Sequence, residues 1–236
     1  MKIEKYSGRV TEGPLENVYV YEAPVRLWHW ITVLMMIPLA VTGYLIGDPP
    51  SVTGAGEATF NYTFAWVRII HFSCAMIFAV AFLMRVYWAI VGNHYAHSLF
   101  LPPVWRLAWW KGLFRQLAYY LFIKKEPDSW IGHNPLAQAG MFMMFVLGAV
   151  TIIVTGFALY AQQWASGQSW MLLFGWVHCL FGESQAVRTV HHLAMYYLLV
   201  FVILHIYMAF REDIMGKETV ISTMVNGIRA FKTKDH

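Results

Sequence analysis

Val190 to Phe210 reads VHHLAMYYLLVFVILHIYMAF, with no Asp, Glu, Lys or Arg anywhere in it. As a helix rising 1.5 Å per residue, such a run spans the ~30 Å hydrocarbon core of a bilayer. Histidine is costly in that setting, yet His191 and His205 stand fourteen residues apart in this run. Fourteen residues make about 3.9 turns and a rise of about 21 Å. The two imidazoles therefore lie on nearly one helix face, one towards each side of the membrane. A partner for each, near either end of a helical bundle, would complete two bis-histidine sites, the layout of a protein that holds two haems b.

Composition fits a membrane protein. Of 236 residues, 58% are hydrophobic and only 13% charged, with mean hydropathy +0.49, whereas a soluble domain carries roughly 25% charge. Three further apolar runs, 27–46, 66–91 and 137–160, match 190–210 in being about as long as a spanning helix. The expected fold is all-α and integral to the membrane: one domain over residues 1–236, a four-transmembrane-helix bundle binding two haems b. The first twenty residues are polar and mixed in charge, so no cleavable signal peptide is predicted. Cys74 and Cys179 form no CxxC or CxxCH motif, which argues against covalent c-type haem and against zinc. No internal repeat or low-complexity segment is visible.

Loop charge sets the orientation. Arg106, Lys111, Arg115, Lys124 and Lys125 lie between the second and third runs; Lys2, Lys5, Arg9 and Arg26 precede the first; Lys217, Arg229, Lys232 and Lys234 follow the last. The other connections offer Asp48 and Glu57, then Glu183 and Arg188. Positive-inside counting puts both termini and the middle loop in the cytoplasm, for a multi-pass protein of the bacterial inner membrane. The net charge of +4 reflects this asymmetry and is no argument for nucleic acid. Between Val104 and Ile123, Trp105, Trp109, Trp110, Leu113, Leu117 and Tyr120 alternate with Arg106, Lys111, Arg115 and Gln116. This pattern predicts an amphipathic cytoplasmic helix on the lipid surface, a soluble partner being the alternative cover. The aromatic-rich stretch from Gln163 to Phe181 is expected at the outer interface or against a periplasmic partner.

A lone intramembrane histidine also serves to bond a neighbouring helix or line a proton path. Four of them sort by depth. His29 opens the outward first run and His205 ends the inward fourth, so both lie towards the cytoplasm. His71 opens the inward second run and His191 the fourth, so both lie towards the periplasm. The expected axial pairs are His29 with His205 and His71 with His191. His192 is thirteen residues from His205, which points its ring about 140° away, so it is expected to face elsewhere. His94, His97, His133, His178 and His236 fall in loops or the tail and read as solvated or interfacial.

Gly43, fourteen residues after His29, is placed where a flat macrocycle would approach the backbone. Arg85, fourteen after His71, and Arg68, three before it, are placed to neutralise propionates. Helix packing is the other reading of Gly43, and snorkelling to the headgroups that of the arginines. Gly140, Gly148 and Gly156 drift about 80° at each eight-residue step of a regular helix and read as small-residue packing.

The segments EAPVRLWHW (Glu22–Trp30), VRIIHFS (Val67–Ser73), GHNPLAQ (Gly132–Gln138), HIYMAFREDIM (His205–Met215) and VISTMVNG (Val220–Gly227) resemble the b-type cytochrome subunit of membrane-bound nickel–iron uptake hydrogenases, from about Tyr19 to Arg229. That resemblance implies two haems b on His29, His71, His191 and His205. It also implies a periplasmic hydrogenase partner, with an iron–sulfur small subunit and a large subunit. Electrons from hydrogen would enter at the outer haem and leave from the inner one to quinone, making the chain an electron-transfer subunit. Asn134 is the candidate quinone contact, with Glu212 and Asp213 as possible relays; Asn134 before Pro135 also reads as a helix N-cap, and the two acids as a solvated cluster. The rivals are the cytochrome of a formate dehydrogenase or similar oxidoreductase, a haem-free membrane anchor, and a proton-relay transporter. The last would need mid-membrane acids, and the four runs contain no Asp or Glu.

Overall fold

The computed structural model describes residues 15–50, 62–97, 99–100, 102–124, 130, 132–162, 168–215 and 219–232. Lys2, Lys5, Arg9, Glu57, Lys125, Lys217, Lys234 and His236 lie outside them, as do residues 163–167 of the second outer connection. In chain order the elements are β1 (Leu15–Tyr19), α1 (Ala23–Gly47), α2 (Thr63–Val91), α3 (His94–His97), α4 (Leu107–Tyr120), α5 (Pro135–Gly140), a π-helical stretch (Met141–Val146), α6 (Leu147–Ala161), α7 (Gln168–Phe181), α8 (Ser184–Met215), α9 (Val220–Asn226) and β2 (Ile228–Lys232).

Four helices are long and apolar enough to cross a membrane: Ala23–Gly47, Thr63–Val91, Pro135–Ala161 and Ser184–Ile214. Each extends past the run that predicted it. The flanking polar residues keep a helical backbone; hydropathy alone cannot see that continuation. α8 has 32 residues, about 48 Å of rise, so its ends project beyond a ~30 Å apolar layer. It runs unbroken past His191 and His205. The third span is less regular, because six residues, Met141–Val146, wind as a π-helix. That winding advances fewer degrees per residue and shifts the helical phase of α6.

Contacts divide the chain into two compact units. Unit 1 comprises Met1–His29, Met84–Phe145 and Val202–His236; unit 2 comprises Trp30–Leu83 and Val146–Phe201. In unit 1 the chain ends meet: β1 pairs antiparallel with β2, Leu15 opposite Lys232 and Tyr19 opposite Ile228. The Val20 and Tyr21 N–H groups then donate to the Gly227 carbonyl, and Gly227 itself, at φ +83°, closes α9 in the left-handed conformation that glycine tolerates. Glu22 accepts from the Trp88 indole and the Asn93 N–H, each at 2.9 Å. Asn93 in turn donates to the Val20 carbonyl, and Val20, Tyr21, Val25 and Ala96 form a buried apolar cluster.

The amphipathic helix is present as α4. It buries Trp109, Gly112, Gln116 and Tyr119, spaced three, four and three residues apart on one face. Trp109 donates to Gln138 at 2.8 Å. Trp110, Phe114 and Leu117 are exposed together with Lys111 and Arg115, the mix suited to a lipid–water boundary.

Unit 2 packs α7 along α6. Phe157 stacks on Trp170 and Phe174, and Val177 is buried with Ala158 and Val187. Its remaining core surrounds a cavity.

Candidate functional site

In unit 1 the imidazoles of His29, from the first turns of α1, and His205, from the second half of α8, face each other. Their ring centroids are 6.3 Å apart at an interplanar angle of 56°. Two metal–imidazole bonds of about 2.0 Å each, plus the half-width of each ring, come to roughly this separation. Arg85 is buried in the same unit, its guanidinium over the rings of Trp28 and Phe100. One nitrogen donates to the Ala96 carbonyl at 2.9 Å, while Nε and Nη1 have no hydrogen-bond partner among the described residues. A buried cation with idle donors is suited to a carboxylate or propionate.

In unit 2 a cavity of about 670 Å³ is lined by His71, His191, Gly43, Gly156, Arg68 and Arg188, among others. Cofactor pockets commonly measure ~300–1,000 Å³. His71 Nδ1 lies 2.9 Å from Thr42 Oγ1, and His191 Nδ1 lies 2.9 Å from Thr155 Oγ1. With Nδ1 engaged, Nε2 is the ring atom left to bind a metal. A methyl on Gly43 would stand 3.4 Å from the His71 ring and 3.3 Å from Met195 Sδ. One on Gly156 would stand 3.1 Å from the His191 ring.

The four histidines thus fall in two places, His29 and His205 facing each other and His71 and His191 lining one cavity. Among the described residues no group of three or more His, Cys, Asp or Glu is placed to hold a metal ion. A metal at either pair would have to bring its remaining ligands with it, as iron in a porphyrin does.

A family model described as prokaryotic cytochrome b561 matches residues 20–227. The chain belongs to the prokaryotic cytochrome b561 family. Among curated relatives this cytochrome is 56% identical over 216 residues to one from Azotobacter vinelandii, covering 91% of this chain and 89% of that one. It is 51% identical over 217 residues to one from Escherichia coli K12, covering 91% of each, and 48% identical over 226 residues to one from Cupriavidus necator, covering 95% and 92%. The first and third carry the name probable Ni/Fe-hydrogenase B-type cytochrome subunit; the E. coli protein is named probable Ni/Fe-hydrogenase 1 B-type cytochrome subunit.

Haem b is the prosthetic group of a b-type cytochrome, and the residues fit it: imidazoles with a buried cation in unit 1, and imidazoles with glycines beside them and arginines around them in unit 2. Arg68 is largely exposed at the mouth of the cavity. Three features escaped the sequence reading. Gly156 lies against a candidate ligand as well as in a helix interface. Arg188, read as part of an outer connection, lines the cavity. His192 also lines it and does not turn away: its ring packs on Gly47, where a methyl would come 2.5 Å from Cε1. A cavity this wide meets a ring 100° round the helix from His191.

Unit 1 also gathers polar groups. Asn134 caps α5, its Oδ1 accepting from the Ala137 N–H at 2.7 Å, and its Nδ2 points at Tyr120 Oη, 3.4 Å away. Tyr120 donates to Glu212 at 2.6 Å, and Gln116 donates to the same oxygen at 3.2 Å. Burial, reinforced by Glu212, holds the Tyr120 phenol well above its ordinary pKa, so it is a donor at neutral pH. Asp213 instead accepts from the Ile221 N–H at 3.1 Å. His133, read as a loop histidine, is half-buried and bonds Tyr21 Oη at 3.2 Å. Burial first, then the nearby positive groups, push its pKa down to about 3.

Proposed function

We propose that this cytochrome holds two haems b, on His29 with His205 and on His71 with His191, and passes electrons from a periplasmic nickel–iron hydrogenase, which it anchors to the inner membrane, to quinone. The observation that carries the reading is the pairing: His29 and His205 face each other in unit 1, and His71 and His191, each with its Nδ1 held by a threonine, line one cavity with His192 in unit 2. The names of the relatives support the hydrogenase as partner, and the basic loops support cytoplasmic termini. Haem iron with two axial imidazoles exchanges single electrons and offers no open position to oxygen or substrate.

The residues divide the remaining work. His71 and His191, with Arg68 and Arg188 at the cavity, form the site nearer the hydrogenase. His29, His205 and Arg85 form the site nearer the cytoplasm. Quinone reduction needs protons along with electrons. The second hydrogen on Asn134 Nδ2 is the donor left for a quinone oxygen, and Glu212, which accepts from the Tyr120 hydroxyl, is the proton relay beside it.

The test is hydrogen-dependent reduction of a quinone analogue by membranes carrying the complex. Activity that depends on this chain, with the hydrogenase subunits co-purifying, is the expected result. Co-purification with a formate-oxidising enzyme instead, or full quinone reduction in membranes lacking the chain, would contradict the proposal.

A further inference from the structure

Val41-Thr42-Gly43-Tyr44 on α1 and Val154-Thr155-Gly156-Phe157 on α6 are the same motif, Val-Thr-Gly-aromatic, occurring twice. The structure gives both copies one job. Each threonine sits 2.9 Å from Nδ1 of a cavity histidine, Thr42 from His71 and Thr155 from His191. Each following glycine lies against that same histidine's ring. Each threonine also donates its hydroxyl proton to the carbonyl four residues back, Thr42 to Pro38 at 2.5 Å and Thr155 to Thr151 at 2.7 Å. With its single proton committed there, the threonine oxygen is an acceptor towards the imidazole. The proton on each ring therefore sits at Nδ1, and the lone pair at Nε2.

We propose that Thr42 and Thr155 are positioning residues for the cavity haem: a duplicated Thr-Gly device that fixes the tautomer and orientation of His71 and His191 and strengthens both as electron donors. The proposal rests on the reading that these histidines are axial ligands. An imidazole that donates through Nδ1–H is a more basic ligand, which favours the oxidised iron and lowers the reduction potential.

The test is a spectroelectrochemical titration of the purified cytochrome, with haem counted per chain. Thr42→Val, close in shape but without the hydroxyl, is expected to shift the reduction equilibrium of one haem about tenfold towards the reduced form, 59 mV for one electron. The haem affected should be the one lost in His71→Ala. Thr42→Ser should restore the wild-type potential, and Thr155→Val should move the same haem in the same direction. Should Thr42→Val fail to hold haem, Thr155→Val carries the measurement. An unchanged or lowered potential in a haem-replete Thr→Val protein overturns the proposal alone. Retention of the full haem content in His71→Ala overturns the ligand reading beneath it.

Discussion

The imidazole rings of His29 and His205, 176 residues apart in the chain, face each other at 6.3 Å. Among the described residues neither sits in a cluster that could bind a bare metal ion, so the pair would hold an iron only within a macrocycle that brings the remaining ligands. His71 and His191 share the second site with matched threonine and glycine neighbours.

If electrons enter at the cavity site, its loss and the loss of the other site have different consequences. His71→Ala is expected to block reduction by hydrogen of the haem that remains. His29→Ala should leave the cavity haem reducible while quinone reduction stops. Both are read from visible spectra of the complex under hydrogen. Normal hydrogen reduction of the remaining haem in His71→Ala would reverse the proposed order.

The adjacent histidines separate by mutation. His191→Ala should cost one haem per chain, because His191 lines the cavity with its Nδ1 held by Thr155. His192→Ala, which removes a ring packed on Gly47, should keep two haems with a small change in the spectrum of one. Haem loss in His192→Ala alone would exchange their roles.

Glycine substitutions test the space beside the rings. Gly156→Val would push atoms into a 3.1 Å approach to His191, and overpacking of this kind costs ~1–3 kcal/mol. One haem fewer per chain is the expected result. At Gly140 nothing lies within 4 Å of an added methyl among the described residues, so Gly140→Ala should hold both haems. Equal haem content in Gly156→Val and wild type would remove the glycine from the site.

How much of this was visible in the sequence depends on range. The four spans and the depth of each histidine come from local hydropathy and a 3.6-residue period, and the four spans are present. The π-helical stretch Met141–Val146 left no sign, having no proline or glycine within it. It changes the phase between Gly140 and Gly148 but not that between Gly148 and Gly156, which share α6; the role of Gly156 shows only once the His191 ring of another helix packs on it. Thr42 and Thr155 carry no sign of their role in the sequence, because it appears only when a histidine from another helix arrives. The pairing of β1 with β2 joins the two ends of the chain, which no local pattern encodes. His133 looked solvated by its place in a loop; the burial it gains is tertiary.

That burial predicts a pH dependence. His133 titrates near 6.5 when unfolded and at about 3 when folded, so the unfolded chain binds the extra proton between those values. Stability is therefore complete above about pH 6.5 and falls as pH drops through 6.5 towards 3, by up to about 1.4 kcal/mol per pH unit. His133→Gln should flatten that slope in thermal unfolding between pH 7.5 and 5. A slope equal to wild type would mean that other groups set it.

Glu212 and Tyr120 are separable from the haems. Glu212→Gln keeps a partner for Tyr120 and removes the proton relay, and general acid–base groups contribute ~10²–10⁴-fold. Hydrogen-dependent quinone reduction should fall about a hundredfold, with both haems still reduced by hydrogen. Unchanged quinone reduction would place the proton route elsewhere.

The number of haems per chain tests the central claim most directly. The purified protein should give two haems b per polypeptide by the pyridine haemochrome spectrum, all of it removed by acid–acetone, and one after His29→Ala or His71→Ala. A single haem in the wild-type protein, or colour that stays on the extracted polypeptide, would contradict the account.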